Sequence, residues 1–461
     1  MPETAAALHS VQPQLATLDR APMGWRQYLM WLLASGGTLL DGFSIFSLGV
    51  AMPLITSHFS LGPLMVGLIG SALVLGAAFG AAFGGLGADR FGRKPALLID
   101  MAILASGALL SAIADAPALI LAGQFLVGIG IGIDFPVSAS YVSETMPKRE
   151  RSRMMVATIA LQSVGMLLGA MVALATLRLN AELADWRWIV GATGVGAVLF
   201  FLLRLWLPES PRWLLEHETV EAPVRGLPAA PVQSPSGGYS VLFSPVYRKR
   251  TMLASVPWFL MDIATYGVGL FTPVILAAIH LPSNASGPLA ANFAAAEGSA
   301  AIDLFLLIGF LIGLWAVPRF GRIHMQIAGF AGMAMGMLLL LFAVLAGGGE
   351  GAHIALVFAG FILFNLAMNA GPNATTFTLA PELFPTGIRA SASGFAAAVA
   401  KVGATLGIFM LPQVKEFSGV AGVLALMAVV SAIGATITAV LAADIRDIPE
   451  GRELEAVSKA G

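Results

Sequence analysis

Charged side chains lie inside long apolar stretches of this sequence, and they are the residues best able to do chemistry. Asp41, Asp134, Asp262 and Lys401 each stand within such a stretch. A charge inside a bilayer is costly, so it normally faces water or a partner. Counting about 1.5 Å per helical residue places Asp262 and Lys401 each about 17 Å deep. We expect these two to pair, with Lys401 attracting an anionic substrate and carboxylates carrying a proton. A structural ion pair is the alternative.

Polar and aromatic side chains recur every four residues in two apolar stretches, which places each set on one helix face. The sets are Trp258, Asp262 and Tyr266, and Asn365, Asn369 and Asn373. Such faces supply the donors, acceptors and aromatic wall that a cavity for a polar ligand requires. We expect Tyr266 and Asn373 to serve the site. The alternatives are hydrogen bonds between helices for the Asn side chains and interfacial anchoring for Trp258 and Tyr266.

Gln162, Asp134 and Asp41 extend this set of candidates. Gln162 lies one to two turns from a span end, where it either reaches a substrate oxygen or caps a neighbouring helix. Asp134 follows a Gly-x-Gly-x-Gly run that allows close backbone approach, and Pro136 opens the local helix bonding. We expect Asp134 to serve a proton path rather than a static bond. For Asp41, a proton or gating role competes with a hydrogen bond to a neighbouring helix.

The composition predicts an integral membrane protein. Of the 461 residues, 57% are hydrophobic and 11% are charged, and the mean hydropathy is +0.85, which is far too apolar for a soluble domain. A net charge of -1 argues against nucleic-acid binding as the main function. The absence of Cys excludes disulfides, thiol catalysis and cysteine metal sites.

A helix that spans a bilayer needs about 20 apolar residues, and the sequence contains twelve suitable stretches. They lie near 26–52, 62–86, 94–113, 117–143, 154–178, 186–207, 251–280, 298–317, 322–347, 353–382, 389–413 and 419–444. The fold class predicted is therefore an all-α membrane protein with twelve transmembrane helices. With both termini on one side, the cationic residues apart from Arg178, Arg187, Lys415 and the intramembrane Lys401 fall on that side. The positive-inside rule then predicts that both termini are cytoplasmic.

Two sequence patterns occur in both halves of the chain. Arg90 to Arg93 and Arg319 to Arg322 both have the sequence Arg-Phe-Gly-Arg. The Glu-x2-Pro-x3-Arg spacing that starts at Glu144 recurs from Glu382. The repeats predict two six-helix bundles around a site near the middle of the membrane, as in many secondary transporters. The predicted divisions are a cytoplasmic tail 1–25, bundles 26–207 and 251–444, a cytoplasmic linker 208–250, and a cytoplasmic tail 445–461.

Charged residues also gather at the predicted cytoplasmic helix ends. They are Asp89, Arg93, Glu144, Arg151, Glu382 and Arg389. We expect them to act as a gating latch between the halves in one conformation, assisted by helix dipoles. Positive-inside anchoring with solvated ion pairs is the alternative. Asp100 and Asp303 lie near span ends and are expected to be solvated. The six His residues fall in tails, loops or span ends, which disfavours a histidine proton relay.

These motifs resemble those of the major facilitator superfamily. Gly85, Asp89, Arg90, Gly92, Arg93 and Lys94 match its loop motif between helices 2 and 3. Two further segments are similar to those of the branch that contains the sugar porters. They are Pro208 to Trp213, and Glu382 to Pro385 through Arg389. Within that branch, three segments look most like those of the phosphate:proton symporters of fungi and plants. They are Gly128 to Ser138, Trp258 to Tyr266, and Gly371 to Phe377 continuing to Lys401.

The resemblance implies a set of substrate-binding residues. They are Gln162, Trp258, Asp262, Tyr266, Asn373 and Lys401, at the positions that the symporter family uses for phosphate. Phe135 stands where that family has Tyr, and Ser44 stands where it has a second acid on the first helix. Both departures remove polar groups from the expected site. The proton-coupling candidates are Asp41, Asp134 and Asp262.

Together these features predict a proton-coupled symporter that imports a small anion, such as phosphate or an organic acid, by alternating access. The alternatives are a sugar or polyol symporter, an efflux carrier of amphipathic compounds, a channel, or a membrane nutrient sensor that moves nothing. An enzyme is disfavoured because the buried charges have no nucleophile, metal cluster or phosphate loop with them. We expect a monomer in the plasma (inner) membrane, with a small-molecule substrate, protons and the lipid bilayer as partners and with no cofactor, metal or nucleic acid.

Overall fold

The computed structural model describes residues 22–179, 183–214, 238–278, 290–346 and 354–446. Over these ranges the chain is almost entirely helical, and the helices are labelled in chain order. They are α1 (Trp25–Ala34), α2 (Gly36–Phe59), α3 (Pro63–Phe91), α4 (Arg93–Ala112), α5 (Pro117–Thr145), α6 (Lys148–Leu179), α7 (Trp186–Arg204), α8 (Arg248–Ala278), α9 (Ala290–Phe320), α10 (Arg322–Ala346), α11 (Ile354–Ala370), α12 (Pro372–Leu383) and α13 (Thr386–Arg446). Two short 3-10 helices lie at Leu183–Asp185 and Gly238–Phe243.

Most of the twelve predicted spans are matched by helices of sufficient length and apolar character. In the described part of the chain, 10 helical stretches are long and apolar enough to cross a membrane, and Leu304–Phe320 is a shorter apolar helix. Helix α6 starts at Lys148 and α9 at Ala290, so both extend beyond the predicted apolar runs. Helical hydrogen bonding satisfies the backbone donors and acceptors that a bilayer interior leaves without water.

Four of the predicted spans differ from a single straight helix. The first span is broken at Ser35 between α1 and α2. The tenth is broken at Gly371, because Pro372 has no backbone N–H and restricts the residue before it. The eleventh and twelfth run on as α13, interrupted at Gly419 by a non-helical backbone with φ 66° and ψ -172°. Gly419 marks the predicted start of the twelfth span.

The repeated Arg-Phe-Gly-Arg motif has the same local structure in both halves. Gly92 separates α3 from α4 with φ 103°, and Gly321 separates α9 from α10 with φ 82°. Both φ angles lie in the positive region, which glycine adopts readily because it has no Cβ. The repeat in sequence is therefore also a repeat of backbone conformation.

The chain divides into two compact units. Unit 1 contains Met1–Thr251 and Phe377–Ala398, and unit 2 contains Met252–Thr376 and Val399–Gly461. In unit 1, α3 and α5 pack at close range, because a side chain at Gly128 or Gly132 would collide with the carbonyl oxygens of Leu73 or Ala77. In unit 2, α11 packs between α9 and α10.

Some predictions concern residues outside the described ranges. They are most of the two tails (1–21 and 447–461), linker residues 215–237, and His9, His217, His280 and His353. The side chain of Asp303 is also outside the described part of the structure.

Candidate functional site

A buried lysine in unit 2 pairs with an aspartate and a tyrosine on a neighbouring helix. Lys401 of α13 lies with its Nζ 3.3 Å from Asp262 Oδ2 and 3.0 Å from the Tyr266 hydroxyl oxygen, both on α8. The same Nζ is 4.9 Å from the centroid of the Tyr266 ring, which is within range of a cation–π contact. Only 8% of the Lys401 side chain and 4% of the Asp262 side chain are exposed. The pairing expected from their depths is therefore present.

Small residues on α13 bring this lysine to its partners. A side chain at Gly403 would lie 2.4 Å from the carbonyl oxygen of Phe259, and one at Gly407 would lie 2.7 Å from that of Ile263. The two helix backbones are thus in direct contact within about two turns of Lys401. Trp258, one turn before Asp262, is buried on the same helix.

The three asparagines in the tenth predicted span form a ladder. Asn365 donates to the Phe361 carbonyl at 3.1 Å, and Asn369 donates to the Asn365 carbonyl at 2.9 Å. Asn373 donates to the side-chain oxygen of Asn369 at 2.8 Å, across the break at Gly371. These bonds run along the tenth predicted span, within α11 and from α12 to α11. Asn365 and Asn369 are buried, whereas Asn373 is half-buried.

In unit 1, Asp41 and Gln162 are hydrogen-bonded partners. Gln162 Nε2 of α6 donates to Asp41 Oδ2 of α2 at 2.6 Å. A side chain at Gly42 would overlap the Gln162 carbonyl oxygen, so glycine is needed for this close helix contact. Ser44, at the position where an acid was expected, donates to the Leu40 carbonyl of its own helix at 2.6 Å.

Asp134 belongs to a buried charge cluster that the sequence did not reveal. Arg204 of α7 donates to Asp134 Oδ1 at 2.6 Å and to both carboxylate oxygens of Asp100 at 2.9 Å. All three side chains are 0% exposed. The expectation that Asp100 is solvated is therefore wrong, because α4 turns it toward Arg204. From the sequence, Arg204 is predicted only to be one of the cationic residues on the side of the two termini.

Phe135 packs against another aromatic side chain. Its ring lies edge-on to that of Phe377, with 6.0 Å between the centroids. Phe135 is also 4% exposed. Both residues belong to unit 1.

Four of the six gating candidates meet in one cluster in unit 1. Arg93 is fully buried and donates to both oxygens of Glu144, at 3.1 and 2.9 Å, and lies 3.0 Å from Asp89. Arg389 donates to Glu144 Oε1 at 3.1 Å. Asp89 accepts from the backbone N–H groups of Ala390 and Ser391, at 3.2 and 2.7 Å. An acid is favourable there because these groups lie near the N-terminus of α13.

The other two gating candidates, Arg151 and Glu382, are each seven residues along the chain from a member of the cluster, Glu144 and Arg389. Arg151 donates to the Met146 carbonyl at 3.4 Å, and Glu382 is half-buried near the end of α12.

The segment after α7 adds residues to the cluster that were not among the predicted site residues. Glu209 accepts from the backbone N–H groups of Arg93 and Lys94, at 2.9 and 3.1 Å. It thus supplies acceptors for the first N–H groups of α4, which have no partner within the helix. Ser210 donates to Glu144 Oε2 at 2.5 Å. The Pro-Glu-Ser-Pro-Arg-Trp motif was the available signal, but it gave no partner for its polar side chains.

The end of the linker also docks on unit 1. The Tyr239 hydroxyl donates to the Ala82 carbonyl of α3, and its ring stacks edge-on with Phe395 of α13, 5.6 Å between centroids. Burial raises the pKa of Tyr239 above its ordinary value, and the nearby Asp89 carboxylate adds to the effect. The hydroxyl therefore stays protonated and able to donate near neutral pH.

Long apolar helices, an internal repeat and buried charges inside the spans are the features of a membrane transporter. Residues 30–231 and 242–448 match the family model described as Sugar (and other) transporter. The chain belongs to this family, a branch of the major facilitator superfamily. The family is one of transporters rather than enzymes, and the chain is a multi-pass integral membrane protein.

Curated relatives span nearly the same length as this chain. The inner membrane metabolite transport protein YgcS of Escherichia coli (strain K12) is 28% identical over 442 residues, covering 94% of this chain and 95% of the relative. The repressible high-affinity phosphate permease of Neurospora crassa is 27% identical over 479 residues, covering 88% and 81%.

The fold also matches a solved transporter structure. The proton:xylose symporter XylE, bound to 6-bromo-6-deoxy-D-glucose, aligns with a TM-score of 0.75 and 19% identity, covering 94% of this chain and 98% of XylE. This likeness confirms the predicted twelve-helix major facilitator fold.

Proposed function

We propose that this transporter is a proton-coupled symporter that imports a small anion, with inorganic phosphate or an organic acid as the leading substrates. The observation that carries the proposal is the Lys401, Asp262 and Tyr266 cluster. Lys401 is buried and its ammonium group has an aspartate as partner. A buried cation of this kind is a natural binding group for an anion.

The cluster suggests how substrate binding is linked to a proton. An anion that contacts Lys401 competes with Asp262 for the same three N–H donors. Asp262 then loses its cationic partner, and a carboxylate in an apolar interior without a partner favours the protonated form. Anion and proton would bind together, which is the requirement for symport. Asp41 and Asp134 remain further candidates for the proton path.

The other predicted substrate contacts are compatible with a polar anion. Within unit 2, Tyr266 supplies a hydroxyl, Asn373 supplies an amide group, and Trp258 supplies an aromatic wall. The relatives include a phosphate permease, which supports phosphate as the first substrate to test. Phe135 departs from the phosphate pattern, so an organic acid remains the second.

Transport proceeds in this proposal by alternating access. The cluster around Arg93 and Glu144 is the proposed gate, because its charges are buried and bind one another in the conformation described. Opening requires these pairs to separate and become hydrated. We also propose that both termini are cytoplasmic, that the membrane is the plasma (inner) membrane, and that the protein is a monomer.

The direct test is uptake of labelled phosphate into proteoliposomes with an inward proton gradient. We expect accumulation above equilibrium that collapses with a protonophore, and competition by unlabelled phosphate. Flux of a labelled organic acid or sugar without phosphate flux would assign the substrate to that compound instead. Binding without any flux would support a nutrient sensor.

Lys401→Ala is the variant that tests the anion site. Loss of a charged hydrogen bond costs about 1.5 to 3 kcal/mol, so the phosphate affinity should fall about tenfold or more. Lys415→Ala, a lysine change on the same helix, should leave affinity unchanged. Equal affinity in both variants would argue for a neutral substrate.

A neutral sugar or polyol is the alternative class of substrate. The Asn365, Asn369 and Asn373 ladder favours it, because amide groups are suited to hydroxyl groups and carry no charge. In that case Lys401→Ala should preserve competition by sugars, and phosphate should not compete with labelled sugar.

A further inference from the structure

Arg204 has an acceptor for each of its five N–H groups, although it lies in a fully buried position at the end of α7. Two acceptors are the carboxylates of Asp100 and Asp134, described above. The others are backbone carbonyls: Nε donates to Leu33 at 2.9 Å, and the terminal nitrogens donate to Leu97 at 2.8 Å and to Ala34 at 2.7 Å. An arginine can donate five such bonds, and no other side chain can.

The carbonyls of Leu33 and Ala34 mark the break in the first span. Helix α1 ends at Ala34, Ser35 is the joint, and α2 begins at Gly36. The last carbonyls of a helix have no partner within it, and leaving them bare in an apolar interior costs several kcal/mol. Arg204 supplies their hydrogen bonds, so the guanidinium stabilises the broken form of the span.

Asp134 packs directly against the glycines at the start of α2. A side chain at Gly37 would lie 2.1 Å from the carboxyl carbon of Asp134, and one at Gly36 would collide with the ring of Phe200 on α7. Thr38 Oγ1 donates to Asp134 Oδ2 at 3.4 Å. The break, Asp134 and α7 therefore meet at two consecutive glycines.

We propose that Arg204 is a positioning residue for transport, which holds the break in the first span and the carboxylate of Asp134 with the same guanidinium. Asp100 anchors that guanidinium to α4. Neither the angle between α1 and α2 nor the orientation of Asp134 can change without breaking bonds to Arg204, so the two change together. The proposal rests on the protein being a transporter and is independent of the substrate and of proton coupling.

A spin-label distance measurement tests the proposal without any substrate. The chain has no native cysteine, so labels at Trp25→Cys on α1 and Leu199→Cys on α7 are the only ones present. Both positions are exposed, at 70% and 55%. Helix α1 is about 15 Å long. A change of about 20° in its angle to α2 therefore moves its label by about 5 Å.

The variants are Arg204→Gln, Arg204→Lys and the matched control Arg187→Gln. Arg187 lies on the same helix and donates to one backbone carbonyl, that of Ala112. We expect the label distance to shift or broaden by about 5 Å in Arg204→Gln and by less in Arg204→Lys, since lysine has three N–H donors. Arg187→Gln should keep the distance of the parent protein.

Thermal melting in detergent separates positioning from stability. An Arg204→Lys protein that melts at a lower temperature but keeps the parent distance would overturn the proposal, because Arg204 would then only stabilise the fold. If Arg204→Gln does not fold, Gly37→Ala provides the second test. This change keeps every charge and displaces Asp134, so it should also shift the label distance, and an unchanged distance in both Gly37→Ala and Arg204→Lys would contradict the proposal.

Discussion

Asp262 is the carboxylate whose charge the structure ties most directly to the proposed substrate site. Its oxygen lies 3.3 Å from Lys401 Nζ, and its side chain is 4% exposed. In the proposed mechanism this carboxylate takes the proton when the anion takes the lysine. The neutral amide of asparagine has nearly the same shape and cannot take that proton.

Asp262→Asn should therefore abolish phosphate accumulation driven by a proton gradient. Exchange of labelled for unlabelled phosphate across the membrane should persist, since it needs binding and conformational change but no net proton movement. Both fluxes are measured in the same proteoliposomes. Normal gradient-driven accumulation in this variant would remove Asp262 from the coupling role.

Phe135 is the position where this chain departs from the phosphate pattern. Phe135→Tyr adds a hydroxyl, and one hydrogen bond to phosphate would contribute about 0.5 to 1.5 kcal/mol. We expect the KM for phosphate uptake to fall by about twofold to tenfold. A higher KM would mean that the hydroxyl remains buried against Phe377 and that the pocket has a different shape.

At the scale of elements, the contact between α8 and α13 determines whether Lys401 reaches its partners. The contact depends on Gly403 and Gly407, where the backbones approach too closely for a side chain. Small residues at helix interfaces are the usual means of such packing in membranes. The proposed binding residue Lys401 and the glycines that position it are thus neighbours in sequence.

Gly403→Ala should separate the two helices and move Lys401 from Asp262. We expect phosphate uptake to fall about as far as in Lys401→Ala. Gly70→Ala is the matched control, because a side chain at Gly70 meets no atom within 4 Å. Parent-like uptake by Gly403→Ala would mean that the lysine pair tolerates a wider helix spacing.

At the scale of the whole molecule, residues 377–398 belong with the first half of the chain in unit 1. Glu144 is central to this arrangement. It accepts bonds from Arg93, Arg389 and Ser210, which lie on three separate segments. Burying these charges is tolerable only because they are paired.

Glu144→Gln leaves Arg93 and Arg389 short of a buried counter-charge. Removing one partner of a buried pair costs about 3 to 5 kcal/mol, so the melting temperature in detergent should fall clearly. The control is Glu416→Gln, since Glu416 is exposed. Equal melting temperatures in the two variants would show that the cluster contributes little to this conformation.

Most of the fold was predictable because its signals are local. Apolar runs long enough to span a bilayer, the repeated Arg-Phe-Gly-Arg turn and the depth of Asp262 and Lys401 are each read from short stretches of sequence. The helix breaks at Ser35 and Gly371 were less evident, since the apolar runs continue through them.

The sequence by itself determined the class of protein, the internal repeat and most of the spans, and it placed Asp262 and Lys401 at the same depth. Only the tertiary structure decided that Asp100 is buried, that Arg204 joins it to Asp134, and that the asparagine ladder bonds along its own span. The physical reason is that hydropathy and spacing fix where a residue lies along a helix. The partner of a buried charge depends on the rotation and contacts of several helices that are distant in sequence.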